Sequence, residues 1–266
     1  MTSRQSLGGR PVLRFVPGGS GGERTPSGDH GGGRPVVLHL HGGGYRAGSP
    51  ELSRPLASYL ARRTGAEVVA PAYRLAPEHP YPAAVEDGLA GYAELLDDGV
   101  PADRIAVVGE SAGGGLALAV LLEARRAGLP APAAAAALSP WLDLTLESEA
   151  FERCAATDPV LDRSSLRHSA ELYLAGADPR EPAASPLFAD AAALAALPPV
   201  LLQASRAEVL AGDTERFGAR MAAAGGDCRV EMWEGTTHCW HLAVGRLPEA
   251  GAAVDSVAEF LTEHLA

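Results

Sequence analysis

Val107-Val108-Gly109-Glu110-Ser111-Ala112-Gly113-Gly114-Gly115 is the stretch around which the chain is organised. A short apolar strand, Arg104 to Val108, runs into a serine with glycines two residues to either side. A helical run, Leu116 to Arg126, follows at once. A serine on a tight strand-to-helix turn requires this form, because only a residue without a side chain fits two positions before and after it. The turn lifts the hydroxyl clear of a sheet. The new helix N-terminus directs free N–H groups and the positive end of its dipole at the same point. Glycine-rich strand-to-helix turns also bind phosphates. The weight of G-x-S-x-G therefore rests on what the chain adds: an oxyanion loop upstream, then an acid and a histidine downstream.

The 266 residues suffice for one large α/β domain with a well-buried core. A formal net charge of −11 argues against nucleic acid or an anionic membrane as partner, since both need a basic surface. Cys154, Cys228 and Cys239 are widely spaced and odd in number, with neither metal-ligand nor disulfide patterning, and read as reduced thiols. No basic-then-apolar leader and no long apolar run is visible, so the expectation is a soluble, cytoplasmic protein.

Working outward, residues 1–34 are rich in glycine and polar residues and carry one strand-like run, Pro11 to Val16. The segment from Pro17 to Arg34 reads as a mobile hairpin loop. Arg34 to Leu40 is a compact apolar strand ending in His41-Gly42-Gly43-Gly44-Tyr45. Ser49 is expected to cap a helix reaching Arg63, Ala66 to Ala70 to form a buried strand, and Pro82 to Leu96 a helix. After the serine stretch, Pro132 to Leu138 reads as a strand in spite of its alanines, which favour helix. Strands alternating with helices imply a mostly parallel sheet of seven to eight strands with helices on both faces. The rhythm breaks between Thr145 and Ala196, where helical patches Leu146 to Ala155 and Ser164 to Leu174 flank Asp158-Pro159. Residues 145–185 are expected to form a small helical cap. Pro199 to Ala204, Asp213 to Ala224, Asp227 to Met232 and Glu249 to Leu265 then restore strand, helix, strand and helix. Neither an internal repeat nor a second domain is apparent, so residues 1–266 read as one unit.

Ligands of an open parallel sheet bind beyond the carboxyl ends of its strands. Four features fall at such ends: the glycine triplet after His41, Ser111, Glu208 and His238. Their order, glycine loop then Ser…Glu…His, matches the α/β-hydrolase constellation.

The chain resembles the hormone-sensitive lipase family of α/β-hydrolases, in its bacterial esterase and acetyl-hydrolase branch. The resemblance is carried by His41-Gly42-Gly43-Gly44, Tyr73-Arg74-Leu75-Ala76-Pro77-Glu78, Gly109-Glu110-Ser111-Ala112-Gly113-Gly114, Ser139-Pro140-Trp141, Asp158-Pro159, Glu208-Val209-Leu210 and His238. These span the chain from about residue 35 to its end. The resemblance implies an α/β-hydrolase fold and a serine esterase acting on short-chain acyl esters, including O-acetylated small metabolites. Serine is a weak nucleophile until a base takes its proton, and His238 would be that base. Glu208 lies where the family places the acid that fixes the imidazole tautomer. Gly43, Gly44 and Ala112 would donate N–H groups to the oxyanion. No metal or organic cofactor is implied. Bacterial members often dimerise through an edge strand, which here would be Asp227–Met232.

Alternatives remain at this level. His241 rivals His238, which is preferred because it follows the turn-like Glu234-Gly235-Thr236-Thr237. Asp213 rivals Glu208, although it reads better as the cap of the following helix. His39 and His41 read as structural, His41 as a brace for the glycine loop. Asp87, Asp143 and Asp158 read as carboxylates that hold loops. Two departures from the family stand out. The first strand comes almost at once, which removes half of the usual cap and implies a more open pocket or one covered mainly by 145–185. Gly212 replaces a common acidic residue, which implies a mobile loop. Two other activities suit the same fold: elimination or cyclisation with His238 as base, and ligand binding without catalysis.

Overall fold

The computed structural model describes residues 6–18 and 34–265, so most of the expected hairpin loop lies outside the described residues. The strands are β1 (Ser6–Leu7), β2 (Arg10–Phe15), β3 (Val36–Leu40), β4 (Glu67–Pro71), β5 (Ile105–Glu110), β6 (Ala134–Leu138), β7 (Val200–Ser205) and β8 (Cys228–Trp233). They form one sheet in the order β1-β2-β4-β3-β5-β6-β7-β8. β1 and β2 pair antiparallel with each other, and β2 pairs antiparallel with β4. Every other pairing is parallel. The strand that leads into Ser111 thus lies inside the sheet, between β3 and β6.

Side-chain alternation along each strand divides the core in two. Val37, Val68, Ala106, Val108, Ala136 and Leu201 face helices α1 (Arg54–Thr64) and α8 (Pro248–His264). Leu38, Val69, Val107, Ala135, Ala137 and Leu202 face α2 (Ala83–Asp97), α3 (Ala112–Arg126) and α7 (Ala211–Ala223). β6 shows tertiary packing overriding propensity. Its run of alanines is buried throughout, and small side chains let helices lie close on both faces. The remaining helices, α4 (Ala150–Arg153), α5 (Arg163–Leu174) and α6 (Ala191–Ala195), fall between β6 and β7. Among the described residues no helix is long and apolar enough to cross a membrane.

Several boundaries differ from the sequence reading, each for a local reason. The helix expected from Ser49 begins at Arg54, because residues 49–53 form turns (Leu52 N–H to Ser49 O, Arg54 N–H to Glu51 O) and Pro55 suits a first helical turn. The patch Leu146 to Ala155 is helical only over α4. α3 starts at Ala112, four residues before the expected Leu116, and takes the glycine triplet into its first turn. These glycines are required by contact. A Cβ on Gly113 would stand 2.0 Å from the Leu40 carbonyl oxygen, and one on Gly109 would stand 2.1 Å from the Gly113 carbonyl oxygen. Gly212 is likewise no mobile loop. It is buried in the first turn of α7, where a Cβ would meet Ser148 Oγ at 2.0 Å.

Asp213 does not cap its helix. It is the third residue of α7, and its Oδ2 accepts the amides of Leu142 and Asp143 at 2.9 and 3.0 Å. Asp143 in turn binds Arg216 at 2.7 Å. Burial first, and then the Asp143 charge, push the Asp213 pKa up to about 8.

Two tests follow from this packing. Gly109→Ala drives a side chain into backbone and should cost at least about 3 kcal/mol in urea unfolding. Gly251→Ala, within α8 and with open space at its Cβ, should instead be neutral or add about 0.5–1 kcal/mol. For Asp213, the folded chain retains a proton that an unfolded aspartate loses at about pH 4. The folded state then binds more protons up to about pH 8, so this group lowers stability as pH rises across that window. Unfolding free energies measured across it should fall less steeply in Asp213→Asn than in the parent.

Candidate active site

Ser111 owes its position to strain held in place by hydrogen bonds. Its φ of 56° and ψ of −124° lie where L-residues are rarely found. The Ser111 N–H donates to Leu138 O at 2.8 Å. Its own carbonyl accepts the amides of Trp141, Gly114 and Gly115 at 3.0, 3.0 and 3.2 Å. The hydroxyl is thereby presented beyond the carboxyl end of β5, at the N-terminus of α3.

The loops after β7 and β8 bring Glu208 and His238 to the same place. His238 Nδ1–H donates to Glu208 Oε2 at 2.6 Å, which leaves Nε2 to accept from Ser111 Oγ at 2.9 Å. Glu208 is fully buried, and its Oε1 accepts the Ser205 amide at 3.0 Å. The His238 side chain is 6% exposed. Burial pushes the imidazole pKa down, while Cys239 and the Glu208 carboxylate push it up, and the upward influences win. The Cys239 Sγ lies 3.3 Å from the same Nε2. Burial raises the Cys239 pKa, and His238 opposes that shift.

The glycine loop after β3 closes the other side. Gly43 and Gly44 have φ of 126° and 63°, and a Cβ on Gly43 would strike Ala47 O at 2.1 Å. The amides of Gly43, Gly44 and Ala112 donate to no group among the described residues. His41 braces this loop: its Nδ1–H donates to Gly42 O at 2.8 Å and its ring stacks on Tyr73 at 4.2 Å. The Tyr73 hydroxyl donates to His41 O at 2.6 Å.

The rival residues lie elsewhere. His241 is buried, its Nε2–H donates to Gln203 Oε1 at 3.0 Å, and burial lowers its pKa to about 3. Asp213 serves the 142–143 backbone, as described above. Asp87 binds the Arg74 backbone amide and guanidinium. Asp143 binds Thr145 and Arg216. Asp158 links the cap to the acid loop, accepting from Val160 and Leu161 through Oδ1 and from Val209 through Oδ2.

Three participants were not anticipated from sequence. Glu110 is buried beside Ser111, 2.9 Å from His39 Nε2, and its Oε1 accepts from the Gly42 amide and the Ser53 hydroxyl. An acid at the end of a wholly apolar strand was the available signal. Cys239 and Ser53 gave none. Above Ser111 lies a cavity of about 500 Å³, walled by the glycine loop, by Leu52 and Ser53 just before α1, by Cys239 and Leu242, and by Val160, Leu161, Leu166 and Ser169 at and before α5. The cap contribution therefore comes mainly from α5. Among the described residues no cluster of three or more His, Cys, Asp or Glu side chains is arranged to hold a metal ion.

Comparison with known proteins agrees with this architecture. The family model for the alpha/beta hydrolase fold matches residues 37–242. An acetyl-hydrolase of Streptomyces hygroscopicus is 44% identical over 226 residues, covering 85% of this chain and 75% of that one. An ethyl acetate hydrolase of Pseudomonas putida is 31% identical over 237 residues, covering 86% and 73%. The crystal structure of an esterase from the bacterial hormone-sensitive lipase family superposes with a TM-score of 0.89 at 39% identity, covering 98% of this chain and 83% of that one. The chain belongs to the alpha/beta hydrolase fold family, in its hormone-sensitive lipase branch.

Proposed function

We propose that this protein is a serine hydrolase of short-chain carboxylic esters of small molecules, with Ser111, His238 and Glu208 as catalytic residues. The observation that carries the reading is the unbroken hydrogen-bond chain from Glu208 through His238 to Ser111, set beside three unpartnered amides. Ser111 Oγ attacks the ester carbonyl carbon while His238 Nε2 takes its proton. The carbonyl oxygen becomes an oxyanion, and the amides of Gly43, Gly44 and Ala112 are the donors available to it. The carbon–oxygen bond to the alcohol then breaks as His238 returns the proton to the leaving oxygen. Water, deprotonated by the same imidazole, attacks the acyl-Ser111 ester, and the acid is released with Ser111 regenerated. Glu208 holds the imidazole with its proton on Nδ1 and stabilises the imidazolium formed in each half of the cycle.

The cavity is mainly apolar, which suits the acyl part of an ester. The relatives named for acetyl and ethyl acetate hydrolysis support the same class.

With para-nitrophenyl butyrate, Ser111→Ala should lower kcat by roughly 10^5-fold or more while leaving the unfolding midpoint near that of the parent. A variant as active as the parent would exclude Ser111 as nucleophile. Glu208→Gln should lower kcat by roughly 10^2- to 10^4-fold. It should also move the rising limb of the pH–rate profile to lower pH. The sign follows from the base having to be neutral: the carboxylate raises the His238 pKa, so removing the charge lets the imidazole deprotonate earlier. A limb that stays in place would remove Glu208 from the role.

A further inference from the structure

The hydrolytic chemistry leaves Arg46 unused. It lies two residues beyond Gly44 on the glycine loop and lines the cavity over Ser111. Its Nε donates to Ser169 Oγ at 2.8 Å, and the Ser169 hydroxyl in turn donates to Ser165 O at 3.0 Å. Ser169 is buried, and a Cβ on Gly44 would stand 3.2 Å from the same Oγ. Loop, arginine and α5 therefore meet at one fixed point.

Arg46 is exposed and, like Arg62, Arg125 and Arg167, has no ion-pair partner among the described residues; what sets it apart is that it lines the cavity while tethered to Ser169. Arg14 is paired with Glu67, Arg74 with Asp87, Arg180 with Glu147 and Arg216 with Asp143. Among the described residues no carboxylate lies within ion-pair distance of Arg46, although the chain as a whole carries a net charge of −11. One of its five N–H groups is committed to Ser169, and the remaining edge of the guanidinium is open. Among the described residues, Arg46 is also the single lysine or arginine lining the cavity. The carboxylate there, Glu110, is already held by His39 at 2.9 Å. A planar fork anchored at one nitrogen keeps its direction and suits a carboxylate, which it can engage through two parallel hydrogen bonds.

We infer that Arg46 is a specificity-determining residue that pairs with a carboxylate carried by the substrate, so that the preferred substrates are short-chain esters of anionic small molecules. This inference rests on the ester-hydrolase reading. The charge supplies attraction at the cavity that the acidic surface of the protein as a whole opposes. The carboxylate can belong to the acyl part or to the alcohol part of the ester, and the two placements are separable by experiment.

Steady-state kinetics on two matched pairs test the inference. Monoethyl succinate against ethyl succinamate places the charge on the acyl side. Para-acetoxybenzoate against para-acetoxybenzamide places it on the alcohol side. The readout is the anionic-to-neutral ratio of kcat/KM within each protein, which is insensitive to the fraction correctly folded. In Arg46→Gln this ratio should fall about tenfold in one pair, mainly through KM. Arg46→Lys should retain part of it, and added salt should shrink the parent's ratio toward that of Arg46→Gln. A fall in the first pair assigns the carboxylate to the acyl part, and a fall in the second assigns it to the alcohol. Ratios unchanged in both pairs, or equal losses on all four esters, would overturn the inference and leave Arg46 as a tether for α5. Failure of the parent to hydrolyse even para-nitrophenyl butyrate would overturn the ester-hydrolase reading itself, and this inference with it.

Discussion

A buried carboxylate next to Ser111 ties the site together. Glu110 is almost completely removed from solvent at the end of β5, where an unpaired charge would cost several kcal/mol. Burial pushes its pKa up, but His39, the Ser53 hydroxyl and the Gly42 amide push it down and prevail. Each partner belongs to a different element: His39 to β3, Gly42 to the loop with the candidate oxyanion donors, and Ser53 to the residue preceding α1. Satisfying one charge therefore fixes the glycine loop relative to Ser111. Specificity of arrangement is the gain from such a group, since a charge in this position tolerates few alternative packings.

Backbone supplies the remaining precision. The strand-to-helix turn at Ser111, the glycine loop and the first turn of α3 approach each other at distances that exclude even a methyl group, as at Gly109 and Gly113. An amide has no rotamers, so donors held this way need no reorganisation when negative charge develops on a carbonyl oxygen. The side chains, by contrast, are few and each is held from behind. Ser205 holds Glu208, Asp158 holds the adjoining Val209, and Ser139 holds the Cys239 backbone beside His238.

The legible part of the molecule was that in which local pattern and tertiary demand coincide. Alternating apolar strands and helices gave the parallel sheet, and G-x-S-x-G and the glycine triplet announced close backbone approach. Even the alanine strand β6 was readable from its neighbours. Helix starts were less legible. The serine at position 49 looked like a cap, but Ser53 precedes the helix and spends its hydroxyl on Glu110, a contact 57 residues away in sequence. Gly212 read as a soft spot, because nothing local to it reveals that Ser148 packs against its Cα. The bonds of the Cys239 amide to Ser139 and of Arg46 to Ser169 are likewise long-range and left no periodic trace.

The two carboxylates that competed for the same role show why environment, more than residue type, decides such assignments. Both Glu208 and Asp213 are buried. Asp213 faces a second carboxylate, Asp143, and holds its proton to about pH 8. A neutral acid bonded to backbone amides cannot stabilise a positive charge elsewhere, and its one free oxygen, Oδ1, meets no partner among the described residues. Glu208 faces an imidazole N–H and a single amide, with no acid opposed to it in that contact set. A carboxylate in the first setting holds a helix junction, whereas one in the second is suited to stabilise an imidazolium. Sequence places both residues after β7, five positions apart. Only the fold, by turning one toward residues 142–143 and the other toward His238, divides the work between them.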